Sequence, residues 1–349
     1  MSRCRWRLPL LLSTALVGGG ATAAELKWDG FFTSTYSITN TKSTYRDIVH
    51  DDGSFDDSRF GLHVVSDIHP LWRLEAQLFA AGYEDNYATR LDWGFASFHP
   101  SERLNLKFGK LKYPNNLVSE YYDVGLAYPW IRPPHEYYSL EEPSASITYE
   151  SFNGASAIIS RRSGDWDLVA QPFFGEVELA ESDANISKFT GIKLSASNDL
   201  TELQASVAQG RINAEGHELD DQTKRIVSLG MHTEWGRLVN YLEYAVATFS
   251  DSEEARTKAG YITLGYHFGH TMPHITYAGF DQESGWGQQS VTVGVKQMLN
   301  PSTALKLEMQ RITPELNPEV GAEMASGLFM DDPEKTRVNA FSIAIDVVF

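Results

Sequence analysis

From Leu26 onward, apolar and polar side chains alternate in stretches of about ten residues. In Arg59 to Ile68, Phe60, Leu62 and Val64 fall on one face, with Arg59, His63 and Asp67 on the other. Trp72 to Gly82 sets Trp72, Leu74, Ala76 and Leu78 against Arg73, Glu75 and Gln77. The last stretch, Ala340 to Phe349, places Phe341, Ile343, Ile345, Val347 and Phe349 opposite Ala340, Ser342, Ala344 and Asp346. A period of two is that of a β-strand, whose successive side chains point to opposite faces. A soluble sandwich and a membrane barrel both produce it, because each needs one apolar and one polar face.

About sixteen such segments are present, each close to the length a tilted strand needs to cross a hydrocarbon layer. Leu26 to Asn40 is the first, and Arg90 to His99 the fourth, with Leu91, Trp93 and Phe95 expected opposite Arg90 and Asp92. Arg237 to Phe249 is ambiguous, since Leu242, Tyr244 and Val246 face one way and Val239 and Tyr241 the other. The connections separate the two architectures. Short turns at His69-Pro70, Pro100-Ser101, Ser163-Gly164, Ser197 to Asp199, Gly236, Gly269-His270 and Asn300-Pro301 alternate with long connections. Among the long ones are Thr41 to Ser58, Lys112 to Gly154, Arg211 to Thr223 and Thr313 to Arg337. Strict alternation puts all short turns on one rim of an up-and-down barrel, whereas Greek-key sandwiches have no reason for it. The expected fold is all-β, an antiparallel transmembrane barrel of about 16 strands. Its lipid-facing set is Leu62, Val64, Leu74, Leu78, Leu106, Val293, Leu307, Ile343 and Ile345.

Composition adds an address. Residues 1–24 read as a secretory signal, with Arg3, Arg5 and Arg7, an apolar Leu8 to Val17, and the small residues Ala21 to Ala24. Residues 25–349 then form the mature barrel, without cysteine, since Cys4 lies in the signal. Removing the three signal arginines leaves 26 basic against 46 acidic side chains, a net charge of −20. That sign argues against a nucleic-acid partner. No Cys/His cluster suggests a metal or cofactor, and no G-x-S-x-G elbow suggests a hydrolase, although scattered Ser and His leave a triad open by count. Acidic runs at Asp47, Asp51, Asp52, Asp56 and Asp57, and at Glu315, Glu319, Glu323, Asp331, Asp332 and Glu334, fall in outer connections. They read either as a solvated surface or as carboxylates for divalent cations that bridge to lipid phosphates.

In strand number, loop alternation and terminal Phe349, the chain resembles the porins of Gram-negative bacteria. The resemblance implies an outer-membrane location, a closing last strand read by the insertion machinery, a homotrimer, contacts with outer-membrane lipid and lipopolysaccharide, and passive diffusion of small hydrophilic solutes. It also implies that the third long connection, residues 112–154, folds into the lumen. That segment is rich in Pro and Tyr, which restrict φ and pack against a wall. Its approach, Lys107 to Pro114, looks like the strand end of substrate-selective porins, where basic residues line the narrow zone. The expected pore-lining residues are Arg59, Arg73 and Arg90 on nearby strands, Lys107, Lys110 and Lys112 leading into the loop, and Glu120, Asp123, Arg132 and Glu136 within it. Two other readings stay open, a receptor or scaffold for a surface or periplasmic partner and an outer-membrane hydrolase; hydrolases usually use smaller barrels.

Overall fold

The computed structural model describes residues 25–46, 48–83, 87–138, 149–179, 184–315, 327–330 and 335–349. The expected signal segment, part of the third long connection and most of the last acidic run lie outside the described residues. Sixteen strands form one closed antiparallel barrel in which each strand pairs with its sequence neighbours. They are β1 (Leu26–Thr39), β2 (Arg59–His69), β3 (Trp72–Ala81), β4 (Arg90–Ser101), β5 (Leu104–Lys112), β6 (Ser151–Ser163), β7 (Trp166–Glu178) and β8 (Asn185–Ser197). The second half comprises β9 (Thr201–Asn213), β10 (Thr223–Trp235), β11 (Leu238–Phe249), β12 (Thr257–Tyr266), β13 (Thr271–Gln282), β14 (Gly287–Asn300), β15 (Thr303–Glu315) and β16 (Val338–Val348).

Closure joins β1 to β16 from Phe31 opposite Val348 to Thr39 opposite Ala340. Phe349 extends the ladder by exchanging backbone hydrogen bonds with Gly30 at 2.9 and 3.0 Å. Its ring packs 6.2 Å from Phe60 and 6.3 Å from Trp28. Closure removes the edges that an open sheet would expose. Gly164, Gly236 and Gly269, with φ between 60° and 65°, take the left-handed backbone that tight hairpin turns on the short-turn rim require.

The outer surface is apolar. Every residue of the expected lipid-facing set points outward, with Val293, Leu307, Leu74 and Ile343 all more than 40% exposed. Outward aromatics gather in two belts, Trp28, Trp72, Trp235, Phe268 and Phe349 near the short turns and Phe174, Tyr244, Tyr277 and Phe341 towards the long loops. Such belts flank an apolar band where amphipathic rings meet the membrane interface.

Two strands depart from simple alternation. In β4 the register slips, with Gln77 opposite Trp93 but Leu78 opposite Leu91, so Asp92 is an extra residue. Below this bulge Trp93 and Phe95 turn inward, against His63 at 5.0 Å and Lys107 at 4.7 Å, and no longer share a face with the outward Leu91. In β11 the ambiguity resolves with Val239, Tyr241 and Glu243 inside and Tyr244 outside. Tyr241 is drawn inward by a ring partner on the third loop, Trp130, 4.8 Å away.

Candidate functional site in the barrel interior

After β5 the chain turns across the inside of the barrel, and residues 113–138 are mostly buried, with Glu120 and Ala127 exposed. A backbone so placed must find hydrogen-bond partners on the wall, and it does so at four places. The first is on β9 to β11. The Asn115 carbonyl accepts from Gln204 Nε2 at 3.0 Å and Ser228 Oγ at 2.9 Å, while Leu117 N–H donates to Glu243 Oε1 at 2.8 Å. The other Glu243 oxygen accepts from Tyr261 Oη at 2.7 Å and from Tyr138 Oη. Tyr138 ends α1 (His135–Tyr138), so one wall carboxylate ties the start of the loop to its far end.

The second anchor uses two lysines that sit opposite each other on β14 and β15. Lys296 Nζ donates to the carbonyls of Leu126 at 2.5 Å and Tyr128 at 3.3 Å. Lys306 Nζ donates to Gly125 O at 2.5 Å and to Trp130 O, and pairs with Asp346 at 2.9 Å. The carbonyls belong to a single 3-10 turn and its exit, where unsatisfied C=O groups favour a cation.

Third, Trp130 Nε1 donates to Thr276 Oγ1 at 2.8 Å and Thr263 Oγ1 at 3.1 Å, and Ile131 N–H donates to Glu308 Oε1 at 3.0 Å. Fourth, the fully buried Arg59 of β2 donates from Nε to Asp123 O at 2.9 Å and from Nη2 to Ile131 O at 3.2 Å. The loop thus touches both sides of the barrel.

A charge network runs along its β2 to β5 side. Lys112 Nζ lies 2.9 Å from Asp92, 3.4 Å from Asp123 and 3.3 Å from Glu150. Arg90 Nη2 reaches both Glu150 oxygens at 2.8 and 2.9 Å. Burial works to raise the Glu150 carboxyl, but Lys112 and Arg90 outweigh it and hold the group well below the ordinary range. Arg132 donates to Asp57 at 2.6 Å and to Asp123 at 3.4 Å. Burial disfavours its cation, yet Asp57 overcomes that and raises its pKa well above the ordinary value. His135, in α1, lies 2.7 Å from Arg46, and burial together with Arg46, Arg132 and Arg59 lowers its pKa well below 6.5.

Of the residues singled out from sequence, Arg59, Arg90, Lys112, Asp123 and Arg132 come together in this network. Glu136 is buried elsewhere, accepting from Gln288 Nε2 at 2.8 Å. Glu120 is exposed on the loop. Lys107 is half-buried on the inner wall below the loop. Arg73 pairs with Asp67 at 2.7 Å near the short-turn rim, away from the loop. Lys110 is a correction. It pairs across the sheet with Gly94, and its Nζ donates to Leu91 O, on the face of the outward Phe108 and Leu91. Period two separates it from Lys107 by three residues, an odd number.

Asp57, expected in an acidic run of the outer connections, is instead buried against Arg132. Lys296, Lys306, Glu243, Glu308 and Asp346 all lie on the inner wall, but nothing in their local sequence marks them as loop anchors. Also unanticipated is an aromatic cluster inside β5 to β8, where Tyr113, Tyr149, Phe152, Phe173 and Phe189 meet with ring centroids 5.1–6.0 Å apart. Phe152, Phe173 and Phe189 are the apolar residues of the inner face, the signal that would have disclosed it.

Neither known family models nor curated proteins match the sequence. Solved structures do. The anion-selective porin from Comamonas acidovorans superposes with a TM-score of 0.66 over 93% of this chain and 100% of that one, at 13% identity. OmpF of Salmonella typhi, in complex with daunomycin, gives 0.61 over 93% and 98% at 11% identity. The trimer form of OmpT, an outer membrane protein of Vibrio cholerae, gives 0.59 over 94% and 100% at 11% identity. At these identities the likeness is one of backbone: the chain has the fold of the porin barrels.

Proposed function

We propose that the protein is an outer-membrane porin of a Gram-negative bacterium, through which small hydrophilic solutes or ions diffuse passively, and that it assembles as a homotrimer. The observation that carries the reading is the third loop, fastened by Lys296, Lys306, Glu243 and Arg59 across a polar inner wall. A loop held by so many wall groups narrows the lumen to a fixed shape, and a fixed shape filters by size and field without chemistry. Inside β4 to β9, Arg90, Glu150, Lys193 and Glu202 keep solvent contact and Glu120 projects from the loop. Basic and acidic groups there are mixed, which favours weak ion selectivity. The apolar band and aromatic belts suit outer-membrane lipid, and the acidic outer loops suit cation-bridged lipopolysaccharide.

Single-channel recording in planar bilayers tests this. Steady conductance closing in three steps is expected of a trimer. Excising Val118 to Pro134 should raise it. Fixed charges at a narrow passage are poorly screened, so Lys107→Gln should shift the reversal potential towards cations. Lys110→Gln, on the outer face, should leave it unchanged, as should neutralising Asp51 and Asp52 at high salt. A silent barrel would refute the diffusion reading and favour a receptor or an enzyme.

A further inference from the structure

The outward face of β4 to β7 departs from the apolar band around it. Lys110 of β5 points outward, opposite Gly94 of β4 and Asn153 of β6, and Asn153 in turn stands opposite Glu176 of β7. Phe152, beside Asn153, is buried inside, and Phe174, two residues from Glu176, is 64% exposed, so Asn153 and Glu176 share the outer face with Lys110. A lysine, an asparagine and a glutamate thus form one outward polar line across three neighbouring strands.

The register gives the depth of this line. Paired residues lead from Trp28 in the lower aromatic belt through Val64, Ala76 and Gly94 to Lys110. The same ladder starts near the Leu26 end of β1, at the short-turn rim, and reaches Glu176 near the long-loop end of β7, so it climbs. With strands about 4.8 Å apart and tilted by about 40°, each step rises about 3 Å. Lys110 therefore sits about 12 Å above the belt and Glu176 about 18 Å, inside an apolar band about 25 Å tall. Outward basic residues on other strands, such as Arg211, Arg225, Lys258 and Arg311, lie eight to ten residues above the short-turn ends of those strands, whereas Lys110 lies six above Leu104.

Lipid serves this line poorly. The Lys110 ammonium has three donors, and its bond to Leu91 O at 2.9 Å holds it against the sheet and short of the interface. Among the described residues neither Lys110 nor Glu176 has an oppositely charged partner. Two strands apart, or about 10 Å, they do not reach each other within one copy. A lysine at mid-depth on a lipid face is strongly disfavoured, but a second protein wall shields it and supplies a counter-charge. Because the line carries both signs, it is complementary to another copy of itself.

We propose that the outward face of β4 to β7 is where copies of this chain meet, with Lys110 of one copy paired to Glu176 of the next and Asn153 hydrogen-bonded between them. The assignment rests on the reading that the barrel assembles with itself, and it names the wall and the ion pair that join the copies.

Cys4 is the only cysteine of the chain, so Lys110→Cys with Glu176→Cys is made in a Cys4→Ser background, folded into lipid vesicles and oxidised. Within one copy the two positions lie about 10 Å apart, beyond the roughly 7 Å that a disulfide spans between Cα atoms, so any disulfide joins two copies. Covalent dimers and trimers are expected on non-reducing gels. None is expected from Met231→Cys with Ile262→Cys, an outward pair at the same spacing on β10 and β12. In detergent, Lys110→Glu should weaken self-association at least tenfold by ultracentrifugation, and adding Glu176→Lys should restore it. The cysteine pair reverses no charge, so it decides the matter where Lys110→Glu fails to fold. No disulfide at 110 and 176, a yield equal to that of the control pair, or a Lys110→Glu oligomer as tight as the wild type would overturn the proposal. So would a Lys110→Leu barrel that gains thermal stability with assembly unchanged, the behaviour of a lipid-facing site. An oligomer that forms without the disulfide removes this wall alone, and a barrel that stays monomeric removes self-assembly with it. Conductance of the same preparations tests the diffusion reading separately.

Discussion

Lys306→Met isolates the anchoring of the third loop. Lys306 is fully buried, pairs with the equally buried Asp346 at 2.9 Å, and donates to two loop carbonyls, those of Gly125 and Trp130. Methionine keeps the length and the apolar stem and removes only the ammonium. Asp346 keeps a short hydrogen bond from Thr33 Oγ1 at 2.7 Å but loses its counter-ion. Removing one partner of a buried pair costs about 3–5 kcal/mol. Each carbonyl stripped of its donor adds about 1 kcal/mol where water does not replace it. Lys296 still holds Leu126 and Tyr128, so the loop should loosen without leaving the barrel. Asp346 lies on the wall, so its lost pairing lowers the stability of the barrel. Loop docking loses the two carbonyl bonds, about 2 kcal/mol, or roughly thirtyfold at about 1.4 kcal/mol per factor of ten. Urea unfolding in lipid vesicles should register the lost stability, and single-channel records should show larger, noisier openings. Adding Asp346→Asn removes the orphaned charge. The double variant should therefore recover most of the stability while keeping the noisy openings. Wild-type stability and conductance in Lys306→Met would refute the anchoring argument, and so would a double variant less stable than the single.

Ile343→Arg, on the outward face of β16, should cost about 2–4 kcal/mol near the bilayer midplane, whereas Ser195→Arg on the inner face of β8 should cost little, as read by urea unfolding. Ser342 is a poorer inner control, because it bonds to Ser37. Deleting Phe349 removes its two backbone bonds to Gly30 and its contacts with Trp28 and Phe60, and should lower the yield of folded barrel on heat-modifiable gels while surviving channels conduct normally. The lowered pKa of His135 predicts a pH effect of fixed sign. In the unfolded chain the imidazole takes a proton below pH of about 6.5 while the folded one does not, so its contribution is complete above that pH and is lost as pH falls. Loop stability measured between pH 7.5 and 5 should decline for the wild type and stay flatter for His135→Gln; equal slopes would exclude the histidine.

The barrel was written in the sequence because its rules are local. Alternation in Phe341 to Phe349 or Val291 to Val295 needs only neighbouring residues, and the order of short and long connections then decides between barrel and sandwich. The same locality explains where that reading stopped. One extra residue at Asp92 reversed the faces of Trp93 and Phe95, since a period of two has no memory beyond a bulge. Proximity in the chain groups Lys110 with Lys107, but parity places it outside. The interior was decided only by closure. Arg59 meets Asp123 across 64 residues, Glu243 meets Leu117 across 126, and Glu308 meets Ile131 across 177. Which wall group faces which loop atom depends on the stagger of sixteen strands around the ring, a quantity no single segment encodes. Sequence therefore determined that charged side chains line the interior; the closed barrel decided which of them hold the loop.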